Sequence, residues 1–199
     1  MKKRLLILSI LVSTVCFSQS SLLHSSLSVK DGKVYYDTII QLDGTSKDKL
    51  FEKSKIWALN NFKSQKDALQ AEDREIGLLT YKTFFTENFN APPFRGHSVT
   101  AEWKYIFTVK LYLKEGKAKI VIDNVYLSIS VPGMNMISEK PIEEMDQPND
   151  PTKYKKIDKE YFEKSRIEMK RLFDKANLEF NATMQSWRVA MKAKSESDF

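Results

Sequence analysis

Side chains that could perform catalysis or bind a metal are few in this chain of 199 residues, and they do not occur at a recognised spacing. The two histidines are His24 and His97, whereas a metal centre normally requires several His, Cys or carboxylate ligands at set distances along the chain. His97 is the residue to consider as a general base, but no nucleophile motif such as G-x-S-x-G accompanies it. Phosphate-binding and dinucleotide-binding glycine motifs do not occur either. We therefore predict no metal, no cofactor and no catalytic residue.

Carboxylate side chains could also bind a metal ion or act as catalytic acids, and many of them lie in one stretch of the sequence. Residues 132–151 hold four of the six prolines and are rich in acids, which predicts a loop of about twenty residues. Its acids are Glu139, Glu143, Glu144, Asp146 and Asp150. An oxygen-rich loop can bind Ca²⁺, but the ligand spacing and central glycine of an EF-hand are missing. We interpret these acids as the charge of a solvated loop, and Asp43, which precedes Gly44, as a turn residue rather than a catalytic acid.

The amino-terminal residues predict export. Residues 1–4 are basic after the initial Met, residues 5–17 are apolar apart from two serines and a threonine, and small polar residues follow. This order is typical of a secretory signal peptide, and the apolar run is shorter than the ~20 residues that a membrane span needs. We predict a signal peptide over residues 1–18, cleaved after Ser18, and a periplasmic or secreted protein that is not an integral membrane protein. Lipidation of Cys16 is the less favoured alternative, because Val15 stands where lipoprotein signals carry a small residue.

Removal of this segment changes the composition that matters for function. The net charge falls from +6 to +3, because Lys2, Lys3 and Arg4 leave with the signal peptide and no acid does. So small a charge gives no argument for nucleic acid as a partner. Cys16 is the single cysteine of the chain, so the mature protein would have neither a disulfide nor a thiolate metal ligand.

The chain then divides into a flexible leader, the Ser-rich residues 19–32, and a single predicted domain over residues 33–199. Alternating apolar residues predict a strand over 33–42, and residues 43–46 supply a turn and a helix N-cap. A helix is predicted to follow, to about residue 62. Its apolar stripe consists of Leu50, Phe51, Ser54, Trp57, Ala58, Asn61 and Phe62.

Four strands are predicted after this helix. Residues 68–72 and 76–87 indicate a hairpin, and residues 88–97, which contain two adjacent prolines, indicate a loop. Residues 99–113 alternate most clearly between apolar and polar side chains, and a hairpin turn at 114–117 leads to a return strand over 118–131. The apolar phase of the return strand changes at Asp123 and Asn124, which predicts a β-bulge.

A long helix is predicted at the carboxyl end, from about residue 155 to 194. Forty residues at ~1.5 Å each span roughly 60 Å, which is longer than a sheet of this size. We therefore expect this helix to overhang the sheet, to bend or to break, with residues 177–181 as the place of a break.

The element order β-α-β-β-β-β-α predicts an α+β fold, an antiparallel β-sheet with two helices packed on one face. The chain resembles exported bacterial proteins of the domain-of-unknown-function family 4468, described as TATA-binding-protein-like. The resemblance rests on Phe17-Ser18-Gln19, on the strand-turn-helix around Gln41-Leu42-Asp43-Gly44-Thr45 and on the downstream pair of long strands. It covers roughly residues 33–130, with a weaker match in the last helix. It implies that fold but no activity and no catalytic residues, and the fold name does not imply DNA binding.

One surface is the candidate binding site. The polar face of the 99–113 strand points away from the helices, and Tyr and Lys side chains on a rigid sheet suit contact with a protein or a glycan. Its predicted binding residues are Thr100, Glu102, Lys104, Thr108, Lys110 and Tyr112, with the apolar Ile106 among them and with Arg95 and His97 of the preceding loop at its border. The alternative is a plain solvated face.

These observations favour a non-enzymatic exported domain that binds a protein partner, a glycan or a small ligand in the cell envelope. One alternative is a hydrolase that uses carboxylates alone, which would need two converging carboxylates with perturbed pKa values in a pocket. Another is a carrier of lipid or another apolar ligand, which would need an enclosed apolar cavity of ~300 Å³ or more.

Overall fold

The computed structural model describes residues 25–62, 68–94, 97–133, 137–146 and 159–193. Six strands form one antiparallel sheet: β3 (Tyr36–Gln41), β4 (Leu69–Asp73), β5 (Leu78–Phe94), β6 (His97–Lys114), β7 (Lys117–Ser130) and β8 (Ile137–Pro141). Their order is β3-β7-β6-β5-β4, and β8 pairs with β7 as well. Two short strands, β1 (Val29–Lys30) and β2 (Lys33–Val34), form a separate hairpin.

Two helices lie on one face of this sheet, α1 (Lys47–Asn61) and α2 (Lys159–Lys192). Helix α1 begins where the sequence predicts, because the Ser46 hydroxyl accepts a hydrogen bond from the backbone N–H of Lys49 at 3.2 Å. The predicted stripe is buried except for Asn61, whose side-chain amide donates to the Trp57 carbonyl oxygen. The predicted α+β fold, an antiparallel sheet with two helices on one face, is confirmed.

The core lies between the sheet and the helices and is rich in aromatic rings. Phe180 of α2 has its ring centroid 5.2 Å from that of Tyr36, 5.6 Å from that of Phe85 and 5.1 Å from that of Phe107. These contacts join α2 to strands β3, β5 and β6. Because the buried side chains of all three strands fall on alternate positions, the same face of each strand packs against the helices.

The predicted β-bulge in β7 is confirmed. Thr108 pairs with Asp123 and Ile106 with Tyr126, so two residues of β7 stand opposite one residue of β6. Asn124 has a φ of +50°, in the left-handed region that asparagine tolerates better than most residues. The bulge lets the buried phase change from Ile122 to Val125 while both halves of β7 keep their apolar side chains against the helices.

The predicted loop over residues 88–97 is wrong. Strand β5 continues to Phe94, and Phe89 pairs with Ala101 and stacks on Trp103 with ring centroids 5.1 Å apart. The two prolines coincide with a register shift between Ala91 and Phe94, where a missing N–H interrupts the pairing least. Proline was therefore a misleading loop signal at this end of the strand.

The predicted loop over residues 132–151 is wrong in part. It contains β8, which pairs with the second half of β7, and a 3₁₀ helix over Ile142–Asp146. Ile142 is fully buried, and the Glu143 carboxylate accepts a hydrogen bond from the Val34 backbone N–H at 2.8 Å. One of the acids assigned to a solvated loop therefore fixes the β1–β2 hairpin against the rest of the fold.

Of the three outcomes expected for the last helix, an overhang, a bend or a break, the break does not occur, since α2 runs without interruption through residues 177–181. Its asparagines have partners that leave the helix intact. Asn177 accepts a hydrogen bond from the Tyr36 hydroxyl at 2.8 Å, and the Asn181 amide donates to the Asn177 carbonyl oxygen at 2.8 Å.

Packed structure begins earlier than the predicted leader boundary at residue 32. Leu27 is buried, and Val29–Lys30 forms β1. The leader prediction rested on the Ser-rich composition of residues 19–32. That composition gives no indication that Leu27 is buried. The predicted signal peptide, residues 1–18, lies outside the described residues.

Candidate functional site: the open face of the sheet

The two faces of the sheet have different surroundings. One face packs against α1 and α2, and no element in the described part of the chain covers the other, here called the open face. Strand alternation decides which side chains reach it. On β6 these are the even-numbered residues, because Trp103, Tyr105, Phe107, Val109 and Leu111 are all buried against the helices.

The open face holds six of the predicted binding residues together. All of them lie on β6, and each side chain is exposed or half-buried: Thr100, Glu102, Lys104, Thr108, Lys110 and Tyr112. Arg95 lies outside the described residues, and His97 is the first residue of β6, paired through its backbone with Phe94. Whether these residues bind anything stays a prediction.

An apolar row crosses the middle of the open face. Phe84 of β5 pairs with Ile106 of β6, and Ile106 pairs with Tyr126 of β7. Phe84 is 46% exposed and Tyr126 39% exposed. The Lys104 ammonium lies 3.9 Å from the centroid of the Phe84 ring, a cation–π contact that holds this lysine over the row.

Two ion pairs stiffen the face beside that row. Lys110 Nζ lies 2.6 Å from an Asp123 carboxylate oxygen, and Lys119 Nζ lies 2.8 Å from an Asp37 carboxylate oxygen. The hydrogen bond to Asp37 raises the pKa of Lys119 above its ordinary value, although partial burial opposes that change. Each of these two lysines therefore has a fixed carboxylate partner.

A groove of about 560 Å³ opens on the same face, where β3, β7 and β6 adjoin. Its floor is Val121, which is only 4% exposed although no helix covers it, because neighbouring side chains rise around it. The walls are Tyr35, Ile39 and Tyr112. Lysines line the end near the β6–β7 hairpin: Lys114, Lys117 and Lys119.

The sequence missed most residues of this groove and of the apolar row. The prediction covered one strand and two residues of the predicted loop before it, whereas the face spans β3, β5, β6 and β7. A signal was available for Tyr126, since it stands between the apolar residues Val125 and Leu127, which are buried, and strand alternation turns it to the other face. No local signal places Ile39 beside Lys119, because that pairing joins residues eighty positions apart.

Apart from Lys119, the groups with shifted pKa values lie away from the open face. Hydrogen bonds from Arg171, Lys170 and Lys164 lower the pKa values of the Glu168, Asp174 and Glu160 carboxyls, respectively, all on α2. Burial raises the pKa of the Tyr105 hydroxyl, which is on the helix-covered face. Among the described residues, no three His, Cys, Asp or Glu side chains are grouped to hold a metal ion.

Comparison with known proteins finds a family model that matches part of the chain. The model of the family described as "Domain of unknown function (DUF4468) with TBP-like fold" matches residues 35–128, which run from the start of β3 into β7. Residues 35–128 are therefore similar to the domains of this family. The open face belongs largely to the matched segment, and α2, which covers the other face, follows it in the chain.

Two solved structures are similar to the chain. A DUF4468 family protein from Bacteroides ovatus shares 15% sequence identity, over 85% of this chain and 92% of that one, with a TM-score of 0.49. A TBP-like protein from Parabacteroides distasonis shares 13% identity, over 84% of this chain and 98% of that one, with a TM-score of 0.47. No curated protein matches the chain in sequence. Neither helix of the described chain is apolar over a length that could cross a membrane.

Proposed function

We propose that this protein is an exported, non-enzymatic domain that binds a ligand or partner of the cell envelope through the open face. The supporting observation is the set of large apolar side chains that this face leaves uncovered: Ile39 at 59% exposure, Phe84 at 46%, Tyr112 at 42% and Tyr126 at 39%. They form two clusters on that surface, one beside Ile106 and one beside Lys119. Exposed apolar clusters on one surface often mark binding sites.

The rigidity of the sheet also favours binding. Strands β5, β6 and β7 are long, and pairing fixes the backbone of the two central strands on both sides. The cation–π contact of Lys104 and the Lys110–Asp123 ion pair then hold polar groups in place between the apolar ones. A surface ordered before binding loses less conformational freedom when a ligand arrives.

The two alternatives receive less support. The carboxylates with shifted pKa values are ion-paired and have lowered pKa values, which is the wrong direction for an acid that donates a proton at neutral pH. An apolar carrier needs an enclosed cavity, and the 560 Å³ groove lies open on the surface, while the core beneath it is filled by rings such as Phe107 and Phe180.

Capture from envelope extract tests the proposal. The immobilised mature protein is compared with Tyr112→Ala and Lys104→Glu, and both the proteins and the small molecules that elute are measured by mass spectrometry. We expect material whose recovery falls at least about fivefold with either variant, since each change removes part of the contact surface. Matched controls on other surfaces are Leu178→Ala on α2 and Lys140→Glu on β8, both exposed positions. Equal recovery from all five proteins contradicts the proposal.

A further inference from the structure

The groove has a cluster of positive charge at its hairpin end. Lys114 and Lys117 are directly paired across the β6–β7 hairpin, so both side chains leave the same face of the sheet next to each other. In the described part of the chain, neither lysine has an ion-pair partner, whereas Lys110 and Lys119 each have one. Like charges directly opposite one another destabilise a strand pair.

The nearest acid in sequence is turned away from these lysines. The Glu115 carboxylate accepts a hydrogen bond from the Lys47 backbone N–H at 2.9 Å, at the amino end of α1. Asp123, at the opposite end of the groove, is bound to Lys110 at 2.6 Å. The hairpin end of the groove is therefore left with two cations held close together and an accessible path to them.

An apolar surface adjoins this charge. Tyr112 lies on the same face of β6 as Lys114, two residues before it, and the register places Ile39 beside Lys119 and Lys119 beside Tyr112. Val121, two residues after Lys119 on β7, forms the floor of the groove. A molecule that fits both parts has an apolar or aromatic body and an anionic group at one end.

The volume favours a small molecule over a membrane surface. A groove of about 560 Å³ falls within the range of ordinary ligand pockets and matches a single compound of modest size. We propose that the groove binds a free amphipathic anion, whose charged group lies between Lys114 and Lys117 and whose apolar body lies on Tyr112, Ile39 and Val121. This inference rests on the proposed function of the open face and assigns its ligand class.

The test uses two probes that share a ring skeleton and differ in charge. 8-Anilinonaphthalene-1-sulfonate carries the sulfonate, and N-phenyl-1-naphthylamine lacks it. Fluorescence titration of the mature protein should give tighter binding of the sulfonate probe. Lys114→Gln/Lys117→Gln should weaken that binding about tenfold, because two charge contacts are lost, and should leave the neutral probe unchanged.

Two further variants complete the design. Tyr112→Ala should weaken both probes, because it removes part of the apolar wall. Lys82→Gln/Lys140→Gln makes the same change in net charge at exposed lysines that do not line the groove, and it should change neither titration. Circular dichroism of each variant must match the wild type, so that fluorescence from an unfolded chain is not counted as binding.

Specific outcomes overturn the inference. It fails if the neutral probe binds as tightly as the sulfonate, or if the groove double variant behaves like the control double variant. It also fails if the protein sediments with phosphatidylglycerol vesicles in a way that requires Lys114 and Lys117, since the anion would then belong to a membrane surface. If capture from extract still depends on Tyr112 and Lys104 in any of these cases, the proposed function stands and the assigned ligand class alone falls.

Discussion

At the scale of single residues, Trp57 is the clearest link between α1 and the rest of the fold. It is buried, its indole N–H donates to the Ser186 hydroxyl of α2 at 2.9 Å, and its ring meets Phe62 edge-on at 5.2 Å. One side chain thus provides both apolar burial and a polar contact between the two helices.

We expect Trp57→Ala to lower the free energy of unfolding by ~3–5 kcal/mol, because it leaves a cavity and removes the hydrogen bond to the Ser186 hydroxyl. Urea denaturation followed by circular dichroism measures this loss. Leu59→Ala, on the exposed side of the same helix at 54% exposure, should change stability by less than ~0.5 kcal/mol. A loss below ~1 kcal/mol for Trp57→Ala would mean that α1 does not pack as described.

At the scale of elements, the turn between β4 and β5 is held against the end of β6. Gly77 has a φ of +71°, and its carbonyl oxygen accepts a hydrogen bond from the Leu113 N–H at 2.8 Å. A Cβ added to Gly77 would overlap the Leu113 carbonyl oxygen. This close approach leaves no room for any other residue at position 77.

Gly77→Ala should therefore destabilise the protein by more than its backbone angle alone explains. Gly44→Ala is the matched control, since Gly44 has a φ of +75° and nothing lies within 4 Å of an added Cβ. We expect a cost of about 1 kcal/mol at Gly44 and about 1–3 kcal/mol beyond that at Gly77. Equal thermal and urea midpoints for the two variants would contradict the steric argument.

The elements that the sequence predicted well are those with local patterns. Strand β6 alternates over its whole length, and the change of phase at Asp123 and Asn124 was sufficient to predict the bulge in β7. Strand β8 was missed because it lies in residues 132–151, a segment rich in proline and acidic residues, although pairing with β7 decides its structure. The groove could not be predicted, because it depends on how β3 pairs with β7, a contact that no short window of sequence contains.

At the scale of the whole molecule, element order predicted the α+β fold and the family resemblance implied its TBP-like description. The family match over residues 35–128 agrees with both. Export depends instead on residues 1–18, which lie outside the described structure. Compartment and function are therefore separate questions, and each needs its own measurement.

Intact mass spectrometry of the protein purified from its native cells tests export. We expect a chain that begins at Gln19, recovered from the envelope or the medium, because signal peptidase would cut after Ser18. An added lipid mass on a chain beginning at Cys16 would support the lipoprotein alternative. A full-length chain in the cytosol would contradict both and would remove the envelope from the proposed function.

Strand β4 has a consequence for how the molecule behaves at high concentration. In the described chain it pairs on one side only, so its outer backbone groups could recruit a strand from another copy. It spans only five residues, its register slips between Leu69 and Ala71, and it ends in Glu72 and Asp73. Shortness, irregularity and negative charge all discourage such recruitment. This border of the sheet is therefore protected against self-association into fibres, even when many copies crowd together.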